Sequence, residues 1–385
     1  MWRMGLLLVV GIVVVIAGFS LVDVGGGEVG ASAVFDSVEM DISGYSRAIE
    51  LYDWQFPRDF GPHPNFQTEW WYYTGNLADE AGRRFGYQFT IFRRATTPAE
   101  TEPGSEWRAA QIYMAHFTVT DVSGDQFYHQ QRFSRGAAEL AGATTEPLYR
   151  VWLDDWQILA QDDDATVVAI KAVADAVAVN LRLEQVKPVA LQGNQGLSAK
   201  SGEPGNASYY YSLSRLLTTG TITINDAVYT VSGTSWKDHE FSTSALGNSA
   251  QGWDWFGLQL DDDRELMLGQ IRLVDGGRQP EFGGLLVYPD GSTRKLESSD
   301  FTLNVTDTWQ SPHTGATYPA GWQISLDIGE AEPLDLTVTP LISDQELHGT
   351  GNVDYWEGAV RISGDITGYG YAELTGYVNA MTGRF

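Results

Sequence analysis

The amino-acid sequence predicts an all-β chain built as two tandem antiparallel β-barrels behind an N-terminal export or anchor segment. Three observations predict it. An apolar stretch is confined to the N-terminus, short alternating apolar and polar runs follow from Trp70 onward, and an aromatic segment near residue 70 recurs near residue 253.

Met1 to Ala33 opens with Arg3, continues as the apolar run Met4 to Val22, and ends after a Gly-rich stretch in Ala31-Ser32-Ala33. This order is that of a signal peptide with an A-x-A cleavage site. The apolar run is also close to the ~20 residues that span a bilayer, so an uncleaved segment would tether the protein through residues 4–22. Either way the chain is expected to be exported, to the periplasm or the outside.

The 385 residues suit two domains, each with its own core. With 13 Trp, 18 Tyr and 16 Phe, large flat side chains are plentiful enough to wall a pocket as well as fill a core. The net charge of −26 repels phosphate backbones, which excludes nucleic acid as a partner. Cys is absent, which excludes disulfides, thiolate catalysis and Cys-ligated metal. No glycine-rich nucleotide fingerprint occurs, so no cofactor is expected. Nothing in the sequence speaks to an oligomeric state.

Strands are predicted wherever alternation meets turn residues. Tyr113, Ala115, Phe117 and Val119 precede an Asp121–Asp125 turn; Val177, Val179, Leu181 and Leu183 alternate with polar residues; Ile222 to Val231 folds back at Asn225-Asp226. The Ala-rich stretch Ala165 to Ala178 reads as strand through its Val and Thr. The acidic runs Asp162–Asp164 and Asp261–Asp263 read as turns, and Gln192 to Asn206 as a mobile surface loop.

Trp70-Trp-Tyr-Tyr-Thr-Gly-Asn-Leu77 lines up with Trp253-Asp-Trp-Phe-Gly-Leu-Gln-Leu260, and each is followed by an acidic turn and a strand ending in Arg. Two domains opening on the same hairpin are expected, a first over residues 48–245 and a second over 246–385. Barrel closure removes sheet edges, and a barrel of about eight strands leaves room for one small ligand.

Two clusters could carry chemistry. The first holds His63, Glu69, Trp71 and Tyr73; the second holds Trp236, Asp238, His239 and Glu240, followed by Trp253 and Trp255. If residues 236–241 are extended, Trp236, Asp238 and Glu240 share one face and Lys237, His239 and Phe241 the other. A carboxyl against aromatic surface keeps its proton to higher pH and can donate it, while the rings favour a cation. Asp238 or Glu240 is thus the candidate donor, with His239 orienting water. Trp236, Trp253, Trp255, Glu69, Trp71, Tyr73 and His63 are the candidate ligand contacts. The competing reading pairs Asp238 or Glu240 with Arg93 or Arg272 as a clasp between domains. The six histidines show no H-E-x-x-H spacing, so no metal site is expected.

These segments, with Tyr355-Trp-Glu357-Gly-Ala359 and Gly368-Tyr-Gly-Tyr371-Ala-Glu373-Leu-Thr-Gly376-Tyr377, resemble the family that groups carotenoid 1,2-hydratases with AttH-type proteins, often labelled secreted hydrolases. The resemblance runs from about Leu51 to Phe385 and implies two lipocalin-like barrels. Its hydratases add water to a terminal isoprenoid double bond without a cofactor. They carry a Trp where this chain has Phe241, and a Tyr and an Asp on the strand where it reads Glu265-Leu-Met-Leu-Gly-Gln270, a departure toward the AttH-like branch. The resemblance therefore implies an exported protein acting on an apolar isoprenoid or lipid-like molecule by hydration or hydrolysis, or else carrying that molecule unchanged.

Overall fold

The computed structural model describes residues 42–98, 110–243, 246–247, 249–349 and 353–381. The expected signal or anchor segment over residues 1–33 lies outside them. Among the described residues no helix is long and apolar enough to cross a membrane.

The chain is all-β, in two antiparallel sheets. The first comprises β1 (Thr68–Ala78), β2 (Arg84–Ala95), β3 (Gln111–Asp121), β4 (Gln126–Arg135), β5 (Ala141–Thr144), β6 (Arg150–Leu153), β7 (Trp156–Ala160), β8 (Val167–Val173), β9 (Val177–Gln185), β10 (Ala190–Leu191), β11 (Leu197–Ala199), β12 (Ala207–Ile224) and β13 (Ala227–Ser242). The second comprises β14 (Ala250–Leu260), β15 (Glu265–Leu273), β16 (Gly284–Val287), β17 (Thr293–Leu296), β18 (Phe301–Gln310), β19 (Thr317–Leu326), β20 (Leu334–Pro340), β21 (Glu346–Leu347), β22 (Tyr355–Gly364) and β23 (Gly368–Leu374).

The aromatic repeat is a repeat of topology. In each sheet the opening strand, β1 or β14, pairs with the strand after it and with the last strand, β13 or β23. In each the ladder breaks after the fourth strand, between β4 and β5 or between β17 and β18. The first sheet is a nearly closed barrel and the second curls only half-way.

Local rules hold along the way. Asn225 and Asp226 take φ of 46° and 70°, the left-handed pair that a two-residue hairpin turn between β12 and β13 requires. The Ala-rich stretch forms β8 and opens β9. The segment read as a mobile loop is instead tied down: β10 just before it and β11 within it pair with β12, and Gln192 and Ser198 are buried.

The barrel interior is filled rather than hollow. Trp71, Tyr73 and Leu77 of β1 meet Phe85, Tyr87 and Phe89 of β2 there, and Phe89, Phe117 and Trp156 pack edge to face. Each such ring contributes ~1.5–3 kcal/mol by leaving water. The expectation of a ligand inside a barrel therefore fails: aromatic side chains occupy that volume. Space opens instead between the sheets, where the outer faces of β1, β12 and β13 oppose β14, β15, β22 and β23 through Tyr72, Tyr210 and Trp236 against Trp255, Met267, Ala359 and Tyr371.

A clasp joins the sheets, but not through the residues expected. Glu265 of β15 receives Lys187 at 2.8 Å and Arg215 at 2.5 Å from the first sheet. Arg93 pairs within its own sheet with Glu69, and Arg272 pairs with Asp254.

Candidate site between the two sheets

Strand alternation divides the predicted residues. On β13, Asp238 and Glu240 face the cavity between the sheets, while Lys237, His239 and Phe241 face the barrel. On β1, Trp70 and Tyr72 face the cavity, and Glu69, Trp71 and Tyr73 face inward. Of the ten candidates, Asp238, Glu240, Trp253 and Trp255 line the cavity, and Trp236 stands directly behind Asp238. His63, Glu69, Trp71, Tyr73 and His239 lie across the sheet from it. His239 is fully buried there, which rules out its expected role of orienting water in the cavity.

The inward group forms a charge network of its own. Glu69 Oε1 lies 2.8 Å from both His63 Nδ1 and His239 Nε2, and Arg93 Nε donates to Oε2 at 2.9 Å. Burial alone would raise the Glu69 pKa, but Arg93 and the two histidines hold it well below the usual carboxylate range. The His63 ring stacks on Phe241, their centroids 3.6 Å apart. His63, Glu69 and His239 offer atoms within 4.8 Å of one another, a spacing that could hold an ion. The guanidinium on Glu69 and the two rings already directed at it make this an ion-pair network in which a dication would meet a fixed positive charge.

The cavity encloses about 140 Å³. A volume of this size accommodates a benzene-sized apolar molecule, so one end of a longer chain fits within it. Its walls are the rings of Trp70, Tyr72, Phe92, Tyr210, Trp253 and Trp255, with Phe282 and Tyr355 closing the second-sheet side.

Asp238 sits in this wall with its polarity fixed. Ser212 Oγ and Trp236 Nε1 donate to Oδ1 at 2.5 and 2.6 Å, and Tyr210 Oη donates to Oδ2 at 2.6 Å. Trp255 Nε1 donates to Tyr210 Oη and Gln192 Nε2 to Ser212 Oγ, and since neither group accepts, both hydroxyls point their hydrogens at Asp238. Burial nonetheless raises the Asp238 pKa to about 7, against the pull of these three donors. Glu240, next on the same face, is paired with Lys200 at 2.7 Å.

Two further carboxyls line the cavity, both in segments that carry the family resemblance but neither among the residues singled out as candidates from the sequence. Glu357 on β22 and Glu373 on β23 are directly opposed cross-strand partners. Burial first, then the other carboxylate, pushes Glu357 well above its usual range; Glu373 is raised to about 7, burial leading. On the opposite wall, His116 Nδ1 is 2.7 Å from Tyr355 Oη and its Nε2 is 2.7 Å from Gln131 Nε2. Burial lowers the His116 pKa to about 3, so it is neutral and donates from Nδ1 to the tyrosine. Tyr72, Tyr210, Glu357, Glu373 and His116 could have been found by applying alternation to each strand in turn, since Tyr355, Glu357 and Tyr371, Glu373 are each two residues apart.

Comparison with known proteins gives a consistent result. The AttH-like family model matches residues 47–377. The crystal structure of a Nitrosomonas europaea protein provisionally named AttH superposes with a TM-score of 0.75 at 32% identity, covering 86% of this chain and 100% of that one. Kievitone hydratase from Nectria haematococca superposes with a TM-score of 0.61 at 16% identity, covering 87% of this chain and 97% of that one, a likeness of fold. No curated protein matches the sequence.

Proposed function

The chain belongs to the AttH-like family, and on that premise we propose that the cavity between its sheets takes an apolar small molecule and carries out proton transfer on it, of hydration or hydrolysis type. The observation that carries this reading is Asp238, a 4% exposed carboxyl in an aromatic wall whose pKa burial raises to about 7. A carboxyl so placed exchanges its proton near neutral pH, and the surrounding indole and phenol faces favour positive charge as it develops. The isoprenoid or lipid-like character of the ligand follows from the apolar wall and from the hydratases the sequence resembles. Export rests on the sequence of residues 1–33.

A second reading, an unreactive carrier, draws support from the three donors that already satisfy Asp238 and from the Glu240–Lys200 pair. Native mass spectrometry and lipid extraction of the protein from its own host, beside Asp238→Asn and Glu240→Gln, separate the two. A ligand that accumulates unmodified in Asp238→Asn and is hydrated or absent in the parent supports catalysis. The same unmodified ligand in all three means a carrier, and no ligand in any overturns the apolar-molecule reading.

A further inference from the structure

We propose that Glu357 and Glu373 hold a single proton between them and that this pair is the acid the cavity presents to its ligand, with Asp238 as the acceptor. The inference rests on the functional reading above and deepens it. Directly opposed residues of an antiparallel pair carry their Cβ atoms only about 5 Å apart, and Glu357 and Glu373 are such a pair. Glu357 is 1% exposed and its Oε1 has no hydrogen-bond partner, while Glu373 is partly open to the cavity. Neither forms an ion pair among the described residues: Lys200 is committed to Glu240, and Arg272 to Asp254.

The groups facing the pair cannot neutralise it. Tyr72 and Tyr355 stand beside Glu357, and Tyr371 beyond it, each with its pKa raised by burial and then by the carboxylates. Trp253 stands beside Glu373, and the remaining charges that reach it, Asp238 and Glu240, are negative. Two carboxylates confined this way cannot both ionise at modest cost, and a shared proton is the resolution. Tyr72 and Tyr355 on Glu357 and Trp253 on Glu373 favour those anions too; Asp238 differs in that the residues opposed to it, Tyr72 and Ser212, carry no charge and three donors are directed at it. Burial raises Asp238 and Glu373 alike to about 7, so the assignment of the pair as acid and Asp238 as base rests on the proton the opposed pair must retain and on the three donors directed at Asp238.

On an alkene the step balances without a co-reactant other than water. The O–H bond of the pair breaks as its proton bonds to one alkene carbon and the π electrons form the new C–H bond, leaving a cation on the other carbon between the aromatic walls and the carboxylate pair. Water attacks that carbon and gives its proton to Asp238; Asp238 then releases that proton to solvent and the pair takes one up from solvent, which restores the starting state.

The test uses the full chain labelled with ¹³C at the glutamate side-chain carboxyls, titrated by NMR. The parent is expected to show two carboxyls titrating in well-separated steps, the upper one above neutrality, and in Glu357→Gln or Glu373→Gln the remaining one should titrate in a single step at lower pH. An unchanged titration of the remaining carboxyl overturns the sharing. Should Glu357→Gln fail to fold, Glu373→Gln and the parent titration decide. The acid role is read with dodecyltrimethylammonium, whose binding by calorimetry should release a proton from the parent and none from Glu373→Gln; binding to the parent without proton release overturns it. If neither this probe nor 1-dodecanol binds while the coupled titration persists, the ligand reading itself fails and the donor role falls with it.

Discussion

Asp238 and His239 are consecutive residues on β13 that face opposite sides of the sheet, Asp238 toward the cavity and His239 toward Glu69 in the barrel. Substitutions at the two positions therefore report on different things. The Asp238 pKa rises from 3.8 to about 7 in the folded chain, so the folded state holds the proton more tightly and loses stability as pH climbs from about 4 to about 7. Asp238→Asn has no such loss. Measured by urea unfolding, its stability relative to the parent should improve between pH 5 and about pH 7 and level off above; a pH-independent difference would show that Asp238 is ionised throughout.

Glu69 has the opposite sign. Its folded pKa lies well below its ordinary value, so its contribution is present above that value and is lost as pH falls through the acid range. Glu69→Gln leaves Arg93 buried with its partner's negative charge gone, which should cost ~3–5 kcal/mol at neutral pH. The cost should shrink as the parent is acidified below pH 4. Unfolding at pH 7 and pH 3 checks both statements, and an equal loss at the two pH values would contradict the network's electrostatic role.

Much of this was readable in advance, and the reasons are local. The period-two placement of Asp238 and Glu240 opposite His239 and Phe241 follows from pleat geometry once β13 is extended, and the aromatic repeat foreshadowed the matched pairing of β1 and β14. What was missed depends on long-range pairing. Nothing in the sequence around Glu357 says that Glu373 lies opposite it, because the register of β22 on β23 is set by the hairpin and the packing of Trp356 and Leu374. The cavity was misplaced for a similar reason: whether Trp71 or Trp70 faces the barrel core depends on strand phase, and either could have lined a pocket. His63 and Glu69 read as ligand contacts because a polar group beside aromatics looks the same in sequence whether it meets a ligand or an arginine.

Lys237 is buried among the rings of Phe60, Tyr73, Tyr149 and Tyr211, its Nζ 4.5 Å from the nearest centroid and 3.0 Å from Tyr211 Oη. Burial drives its pKa well below the ordinary lysine value. A lysine with a depressed folded pKa costs stability at every pH below its unfolded value, and the cost grows as pH falls. Lys237→Met keeps the volume and removes the charge, so the variant should be more stable than the parent, with the largest gain at acid pH. Thermal unfolding from pH 5 to pH 9 tests this, and a variant less stable at pH 5 would mean that the cation's contact with the rings outweighs its burial.

The docking of the two sheets depends on one position without a side chain. A Cβ added to Gly86 on β2 would lie 2.7 Å from Tyr371 Oη and 2.8 Å from Ala359 Cβ, and Ala359 is on the backbone of β22 and cannot swing away. Gly86→Leu must therefore push the second sheet off the first. Overpacking of this kind costs ~1–3 kcal/mol. Because Tyr371 sits two residues from Glu373 and Ala359 two residues from Glu357, the same displacement moves the acidic wall of the cavity away from Asp238. Gly86→Leu is thus expected to weaken binding of an apolar probe such as 1-dodecanol as well as to lower stability. Gly247→Ala, whose new Cβ would meet nothing within 4 Å, should change neither. If Gly86→Leu loses stability but binds the probe as tightly as the parent, the ligand does not occupy the space between the sheets.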